Sequence, residues 1–552
     1  MWGLRNSTFL MYDYDKFYKR FPINQHDLAP ILSTRHAFTA SLCRGNVLDV
    51  GCGTGSLADY YFGYYVGMDI SEVAIEKAKE IRRKDAQFYV RDALTPEIGA
   101  ETKFDTIVIS ELLEHIENDD ILFANIKQWA KPDTRLIITC PNGPRVPDPS
   151  HVRELTIPEL RKKLTIFGKV KFYDWPGATQ QIFLTVDFGQ KNDDLVSLVM
   201  IVKDEEKGLE QAILSCIEFV DNIVISVDSK STDKTKEIAM LYADEFKGHV
   251  FQDDFSKARN DAHEGVKTKW ILFLDGHEFV VKSENLEKFL ALDIDGLLVP
   301  VEMENEFIFH NARFYKNGVH FEGKVHEQQQ CKSTYFYPDF LIKHNRFNAQ
   351  NEESISARYQ QRDDMVPRIM GEELKKNPKN VRALFHLAVH CQSKKQYKKA
   401  LSLYRRYLKL SKNSQERWVV FFHCCLCYMV LGKKFRAFLS VSRADREMPG
   451  RWEIQKLKGM MFFEKKEYEK ALEYLNSSFH DNPFNTLYRP MVREDAQTWN
   501  LIGECFFNLY NFDKANIAFD RAADLAKDEK QKEFFGQRAA LMREMLKDSF
   551  KK

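Results

Sequence analysis

Short apolar runs separated by helix-compatible stretches occupy residues 45 to 187: NVLDV, YYVGMDI, AQFYV, FDTIVIS, RLIITC, KVKFYDW and QIFLTVDF. Runs of this length bounded by polar turns predict strands. Their alternation with helical segments predicts a mainly parallel sheet with right-handed crossovers. The last two runs predict an antiparallel hairpin, and the polar stretch GQKNDD at 189–194 reads as a linker. A second α/β series starts at LVSLVMIVKDEE. It continues through NIVISVD, HVFQDD, KWILFLD and DGLLVPVEM to about residue 347.

From about residue 355 the pattern becomes helical and a weak repeat shows. KKQYKKALSLYRRYL (394–408) recurs as KKEYEKALEYLNSSF (465–479) and LYNFDKANIAFDRAA (509–523), with GKKFRAFLSVS (432–442) a degenerate copy. In each, an aromatic residue (Tyr397, Phe435, Tyr468, Phe512) opens the second helix of a pair. A residue three positions on (Ala400, Phe438, Ala471, Ala515) is expected on the same face. This resembles the tetratricopeptide repeat, whose stacked helix pairs form a superhelix with a concave binding face.

Composition sets the scale. A chain of 552 residues needs more than one core, and 44% hydrophobic with 29% charged residues is an ordinary globular balance. A net charge of +1 gives no basic field for nucleic acid. No apolar run is long enough to cross a bilayer, and the first residues, MWGLRNSTFLMYDYDKFYKR, lack the apolar core of a secretory signal. The ten cysteines show no framework of spacings. The lone CxxC of Cys424 and Cys427 lies in an apolar helical stretch and reads as packing. Reduced thiols and a cytoplasmic location are expected.

The first α/β unit carries VLDVGCGTGSL (47–57), a strand followed by Gly51, Gly53 and Gly55. The spacing is GxGxG rather than the GxGxxG of dinucleotide folds. Asp69 ends the second strand, where a carboxylate can accept from both hydroxyls of a ribose. Asp92 follows the third strand, in reach of an exocyclic adenine amine. The glycine loop has no basic residue, so the implied ligand has a ribose and an adenine but no diphosphate.

LDVGCGTG, GMDIS, RDAL and FDTIVISELLEHI followed by CPNG together resemble the class I S-adenosylmethionine-dependent methyltransferases, over residues 1 to about 187. The resemblance implies that Asp49 and the glycines hold the methionine portion of S-adenosyl-L-methionine, Asp69 the ribose and Asp92 the base. His115 and His151 are the candidate catalytic bases. The family usually has a glycine before the fifth strand, and KPDTRL has none.

In the second unit, acids end successive strands: Glu205 after the first, Asp228 after the second and Asp275 in FLDGHEF. Arg259 and Asn260 lie in ARN. This order resembles the GT-A glycosyltransferases of family two, in particular a cytoplasmic subgroup fused to tetratricopeptide repeats that includes peptide glycosyltransferases. The resemblance implies that Glu205 and Asp228 hold the nucleoside, that Arg259 lies near the sugar nucleotide and that an Asp-x-Asp pair binds a divalent metal. Here His277 replaces the second aspartate, as in mucin-type N-acetylgalactosaminyl transferases. Imidazole suits Mn²⁺ better than Mg²⁺, so manganese is preferred and magnesium possible. Asp275, His277 and His344 are the candidate metal ligands, and His326 with Asp275 the donor-binding groups. Glu327 is the first choice of catalytic base and Glu278 the second.

The expected architecture is therefore an α/β multidomain chain. It has a Rossmann-like methyltransferase sheet (1–188), a GT-A domain (193–350) and an all-α repeat domain (355–552). The expected function is bifunctional transfer of a methyl group and of a sugar from a nucleotide-sugar donor. The acceptor is a glycan, peptide or protein, and the repeats present it or mediate self-association. The alternative keeps only the methyltransferase, with a degenerate sugar-binding domain and a repeat scaffold.

Overall fold

A computed structural model describes residues 30–95, 102–175, 177–191, 194–303, 307–325, 327–345, 352–479, 488–490, 495–526 and 528–549. All seven expected strands of the first unit form: β1 (Val47–Val50), β2 (Tyr65–Asp69), β3 (Gln87–Val90), β4 (Phe104–Ser110), β5 (Ala130–Pro141), β6 (Gly168–Phe172) and β7 (Gln181–Phe188). Their order is β3-β2-β1-β4-β5-β7-β6. The first five are parallel, and β7 runs antiparallel to both β5 and β6, which is the expected hairpin. Chain order reverses between β1 and β4, so a ligand crevice opens beyond the carboxyl ends of those two strands. The stretch KPDTRL lies inside β5 rather than before it, and Thr134 ties its start to β4. The Thr134 hydroxyl accepts from the Lys131 amide (2.7 Å) and donates to the Phe104 carbonyl (2.6 Å).

The second unit contains β8 (Val196–Val202), β9 (Asn222–Asp228), β10 (Glu245–His249), β11 (Trp270–Phe273), β12 (Glu278–Ser283), β13 (Gly296–Glu302) and β14 (Phe307–Lys316). The short strands β15 (Phe321–Glu322), β16 (Gln328–Gln329) and β17 (Thr334–Phe336) precede β18 (Phe340–His344). The main sheet runs β10-β9-β8-β11-β14-β13-β18-β12. Its first four strands are parallel. One expectation was displaced. HVFQDD is not the third strand; β10 ends at His249 and FQDD leads into the helix Phe255–His263. The edge strand is the more polar EFKGH, which pairs with β9 instead. Hydrophobicity marks interior strands far better than edge strands.

The two sheets share one continuous apolar core. Across their seam the buried Arg161 donates to the carbonyls of Val220 (3.2 Å) and Asp221 (2.8 Å) and pairs with Asp244 at 3.1 Å. Asn142 donates to the Tyr242 hydroxyl at 2.9 Å.

Among the described residues the remainder is helical apart from one short strand. Four pairs are formed by Val381–Ser393 with Tyr397–Leu410, Ser414–Val430 with Lys434–Glu447, Trp452–Glu464 with Tyr468–Ser477, and Ala496–Asn508 with Phe512–Asp524. Each pair turns through a left-handed residue: Lys395, Gly432, Lys466 and Tyr510. Five positions past each turn lies a fully buried alanine: Ala400, Ala437, Ala471 and Ala515. In the degenerate copy the expected register is therefore one residue off. Ala437, not Phe438, fills the close-packed position, Lys434 takes the aromatic slot, and Phe435 is 79% exposed. The CxxC cysteines are buried in the helix Ser414–Val430, and all ten cysteines are free. Among the described residues no helix is long and apolar enough to cross a membrane.

The helical region is seated on the second unit. Val325 packs with Met365, Val366, Ile369 and Met370, beside Phe251 and Phe255. A strand β19 (Tyr488–Pro490) from the repeats pairs antiparallel with β14.

Candidate functional site

At the carboxyl end of β1, Asp49 is buried and Tyr65 donates to its Oδ2 at 2.5 Å. Its Oδ1 has no hydrogen-bond partner among the described residues. Burial pushes the Asp49 carboxyl up to about 7, against the lowering effect of Tyr65, with Asp69 raising and Arg35 lowering it further. Gly51, Gly53 and Gly55 all take positive φ (73°, 53° and 72°), which a side-chain-bearing residue resists. The Gly53 amide donates to Asp69 Oδ2 at 2.8 Å, and the Ser71 amide to Asp69 Oδ1 at 2.9 Å. Asp69 thus ties the glycine loop to the end of β2. Asp92 is half-buried beyond β3 and accepts from the Leu94 amide at 2.9 Å. A concave backbone loop, a buried carboxylate with a spare oxygen and a second acid beside it fit the amino-acid end and ribose of S-adenosylmethionine.

Beyond β4 the loop carries a strained Glu111 (φ 53°), whose carboxylate takes Arg35 (3.3 Å), Thr139 (3.0 Å) and Gln181 (2.7 Å). Glu114 follows, buried and with its carboxyl raised by burial and then by Glu111. The expected pair His115 and His151 is brought together, with ring centroids 5.1 Å apart. Burial lowers the pKa of His115. A cavity of about 670 Å³, lined by the loop from Gly143 to Glu154, opens beside His151.

In the second unit Asp275, Gly276 and His277 form the turn between β11 and β12. The turn closes twice: the Glu278 amide donates to the Asp275 carbonyl, and the Asp275 amide to Glu278 Oε2, both at 3.0 Å. Gly276 is required because a Cβ there would lie 2.8 Å from Glu205 Cγ. Glu205 passes over it to reach His277 Nδ1 at 3.1 Å. A carboxylate only accepts, so Nδ1 carries the proton and Nε2 points away. Nε2 meets His344 Nε2 at 3.0 Å. His344 is placed there by register, since it pairs with Glu278 across β18 and β12, and the Asn345 amide donates to the His277 carbonyl.

Arg259, on the helix Phe255–His263, lies 3.6 Å over the Phe273 ring. Its Nε donates to Glu327 at 2.6 Å and its Nη2 to Asp275 at 3.4 Å. Asp228 is buried at the end of β9 and accepts from the Lys230 amide at 3.1 Å. Glu278 is 1% exposed and its Oε1 takes Arg313 at 2.6 Å. His326 lies outside the described residues. Asp275, His277 and His344 do not bring three ligand atoms within coordinating range; the two imidazoles converge while Asp275 turns to Arg259. Tyr65, Glu114 and Arg313 were not anticipated. The signals available were a tyrosine opening the strand that carries Asp69, a carboxylate beside a histidine in ELLEH, and a cation within the apolar strand NARFY.

Comparison with known proteins agrees with this division. A methyltransferase-domain model matches residues 22–174, a glycosyl transferase family 2 model 197–328 and a tetratricopeptide-repeat model 370–414. The SPbeta prophage-derived glycosyltransferase SunS of Bacillus subtilis is 26% identical over 252 residues, 43% of this chain and 57% of that protein. Phosphoethanolamine N-methyltransferase 1 of Triticum aestivum is 37% identical over 101 residues, 17% of this chain and 20% of that enzyme. The chain thus spans little more than half of one relative and a fifth of the other. Among solved structures, the MamA protein is 18% identical, covers 31% of this chain and 86% of its own, and superposes with a TM-score of 0.26. From its amino to its carboxyl end the chain carries a methyltransferase domain, a family 2 glycosyl transferase domain and tetratricopeptide repeats.

Proposed function

We propose that the chain is a bifunctional transferase, moving a methyl group from S-adenosylmethionine and a sugar from a nucleotide donor onto a glycan, peptide or protein. The unit boundaries lie near residues 188 and 350. The observation that carries the methyl-transfer half is the buried Asp49 beside three left-handed glycines. Bound S-adenosylmethionine supplies the methyl group; the protein binds, orients and excludes water. Asp49 meets the ammonium of the methionine portion, Asp69 the ribose hydroxyls and Asp92 the adenine. His115 and His151 face the acceptor.

The glycosyl half rests on the converging Nε2 atoms of His277 and His344. Their 3.0 Å spacing is that of two ligands at right angles on one octahedral ion with bonds of about 2.1 Å. The surrounding side chains are mostly anionic: Glu205, Asp228, Asp275 and Glu327 against Arg259. A diphosphate would be repelled here without a divalent cation, which supplies charge for the departing nucleotide. Two imidazoles favour Mn²⁺ over Mg²⁺. Glu327, held by Arg259, accepts the acceptor's proton; Glu278, engaged on both oxygens, positions the turn. The repeats dock beside the ARN helix and present the acceptor there.

The decisive experiment for the reading is a donor screen: hydrolysis of a panel of nucleotide sugars with Mn²⁺ and Mg²⁺ compared. Turnover of none of them would reduce the second domain to a binding module. Asp69→Ala is expected to weaken S-adenosylhomocysteine binding by about 1–3 kcal/mol, since a buried charged acceptor is lost. An unchanged calorimetric titration removes Asp69 from the ribose.

Binding should also depend on pH. The folded Asp49 carboxyl is raised to about 7 against an ordinary 3.8. Its neutral form is favoured by the fold, so its contribution to stability is present below about pH 4 and is lost as pH rises to 7. An ammonium ligand requires the charged form, so binding releases a proton below pH 7. S-adenosylhomocysteine affinity should therefore fall about tenfold per pH unit below 7 and level off above it. Asp49→Asn should bind weakly with a flat profile. A flat profile in the parent protein excludes the contact.

A further inference from the structure

We propose that Glu114, His115 and His151 form a second divalent-metal site, in the methyltransferase domain, beside the cavity that His151 lines. A ligand atom from each of the three lies within 4.8 Å of the others. They come from two segments fixed to each other. The Val152 amide donates to the Glu114 carbonyl at 2.9 Å, and Arg153 donates twice to the Leu113 carbonyl, at 3.2 and 3.1 Å. The loop that carries His151 is thereby stitched onto the turn that carries Glu114 and His115, so the cluster is built rather than a chance approach of mobile side chains.

Two details point to a cation. Glu114 has 2% of its side chain exposed, yet its Oε2 has no hydrogen-bond partner among the described residues. Burying a carboxylate oxygen with nothing to satisfy it is costly. The nearby guanidinium of Arg153 is turned instead to the Leu113 carbonyl and to Asp119 (2.8 Å). That of Arg35 is turned to Glu111. A metal ion held by both carboxylate oxygens of Glu114 would satisfy the buried one. The second detail is the tautomer of His115. Its Nδ1 lies 3.0 Å from the Ser150 carbonyl, which can only accept. Nδ1 therefore carries the proton and Nε2 presents its lone pair on the side of Glu114, 4.0 Å from Oε1. Histidines that ligate metals are commonly oriented by this kind of outer hydrogen bond.

Two imidazoles and one carboxylate suit a borderline ion such as Zn²⁺ or Mn²⁺ and suit Mg²⁺ poorly. Three protein ligands leave coordination open, and an acceptor oxygen entering from the cavity beside His151 would complete the shell. The acceptor class implied is one with an ionisable or paired oxygen, a hydroxyl on a sugar or a phosphate, rather than a tertiary amine. His115 and His151 then act as ligands, not as free bases. The site stands apart from His277 and His344 and does not depend on the reading of that pair.

The test is equilibrium titration of the full chain with Zn²⁺ alone, by competition with a chromophoric chelator. It is run on the parent protein and on His344→Ala, which disables the pair in the glycosyl transferase domain. One Zn²⁺ should remain bound to His344→Ala. Adding His151→Ala or Glu114→Gln should weaken that ion by about 100-fold or more, beyond the roughly 10–100-fold that loss of an outer-shell partner costs. His151 is half-exposed, so its removal should leave the thermal transition in place. Fe²⁺-dependent hydroxyl-radical cleavage of the parent chain gives a second readout that needs no variant, with cuts expected near residues 111–115 and 148–153. No Zn²⁺ on His344→Ala, a remaining ion indifferent to both substitutions, or no cleavage at those segments overturns the proposal.

Discussion

His277→Ala should abolish Mn²⁺-dependent binding of UDP, with a loss of at least about 100-fold, while S-adenosylhomocysteine binding stays unchanged. The size of the effect follows from how little redundancy the turn has. His277 is 5% exposed and its two nitrogens are committed in opposite directions, Nδ1 to Glu205 and Nε2 toward His344. On the proposed reading, removing the ring deletes one ligand outright and loosens the other. It also takes the imidazole donor away from the Glu205 carboxylate, which is buried behind Gly276. Glu205→Gln tests the supporting role separately. An amide can still accept from Nδ1 but no longer charges the ring's environment, so a loss of about 10-fold, within the range for outer-shell changes, is expected. The glycine loop of the first domain sits at the end of another sheet, so its ligand titration is the internal control. Equal UDP binding by parent and His277→Ala, with and without Mn²⁺, removes the metal from this site.

How much of this could be read along the chain depended on the kind of residue. Interior strands announced themselves because they are buried on both faces and therefore run apolar without interruption, as β1, β2 and β4 of the first sheet do, whereas its edge strand β3 is mostly exposed. The edge strand EFKGH of the second sheet did not announce itself, since pairing rather than burial holds it. Acids at strand ends were legible because a carboxylate at the close of an apolar run has few structural reasons to be there. What pairing partner each acid would take was not legible. Glu278 and Glu327 look alike in the sequence, each an acid preceded by histidine. Only the sheet register separates them, sending Glu278 inward to Arg313 and Glu327 to Arg259. The repeat register failed in one copy for a related reason. An aromatic marked the helix start in three repeats, but the left-handed turn fixes the frame, and in the second copy that turn falls at Gly432, one residue earlier than Phe435 suggests.

The buried pair Arg313–Glu278 yields the largest expected effect on stability. Arg313→Met should lower the thermal transition of the second α/β domain by on the order of 10 °C, corresponding to about 3–5 kcal/mol, because it strands a carboxylate that is 1% exposed. Removing both charges together is a different matter. A buried ion pair gains little over a neutral pair of similar shape, since each ion was taken out of water to make it. Arg313→Met combined with Glu278→Gln should therefore recover most of the lost stability. The amide side chain introduced by Glu278→Gln would still offer an oxygen to the Asp275 amide, so the turn Asp275–His277 should keep its shape and UDP should still bind with Mn²⁺. This double variant also separates the two candidate bases. With Glu278 in a positioning role, sugar transfer by the folded double variant stays within about tenfold of the parent, whereas Glu327→Gln, in a domain of unchanged stability, loses about 100-fold or more, the usual contribution of a general base. If the double variant instead folds, binds UDP and transfers nothing while Glu327→Gln remains active, the proton acceptor is Glu278, and Arg313 is the group that holds it in place.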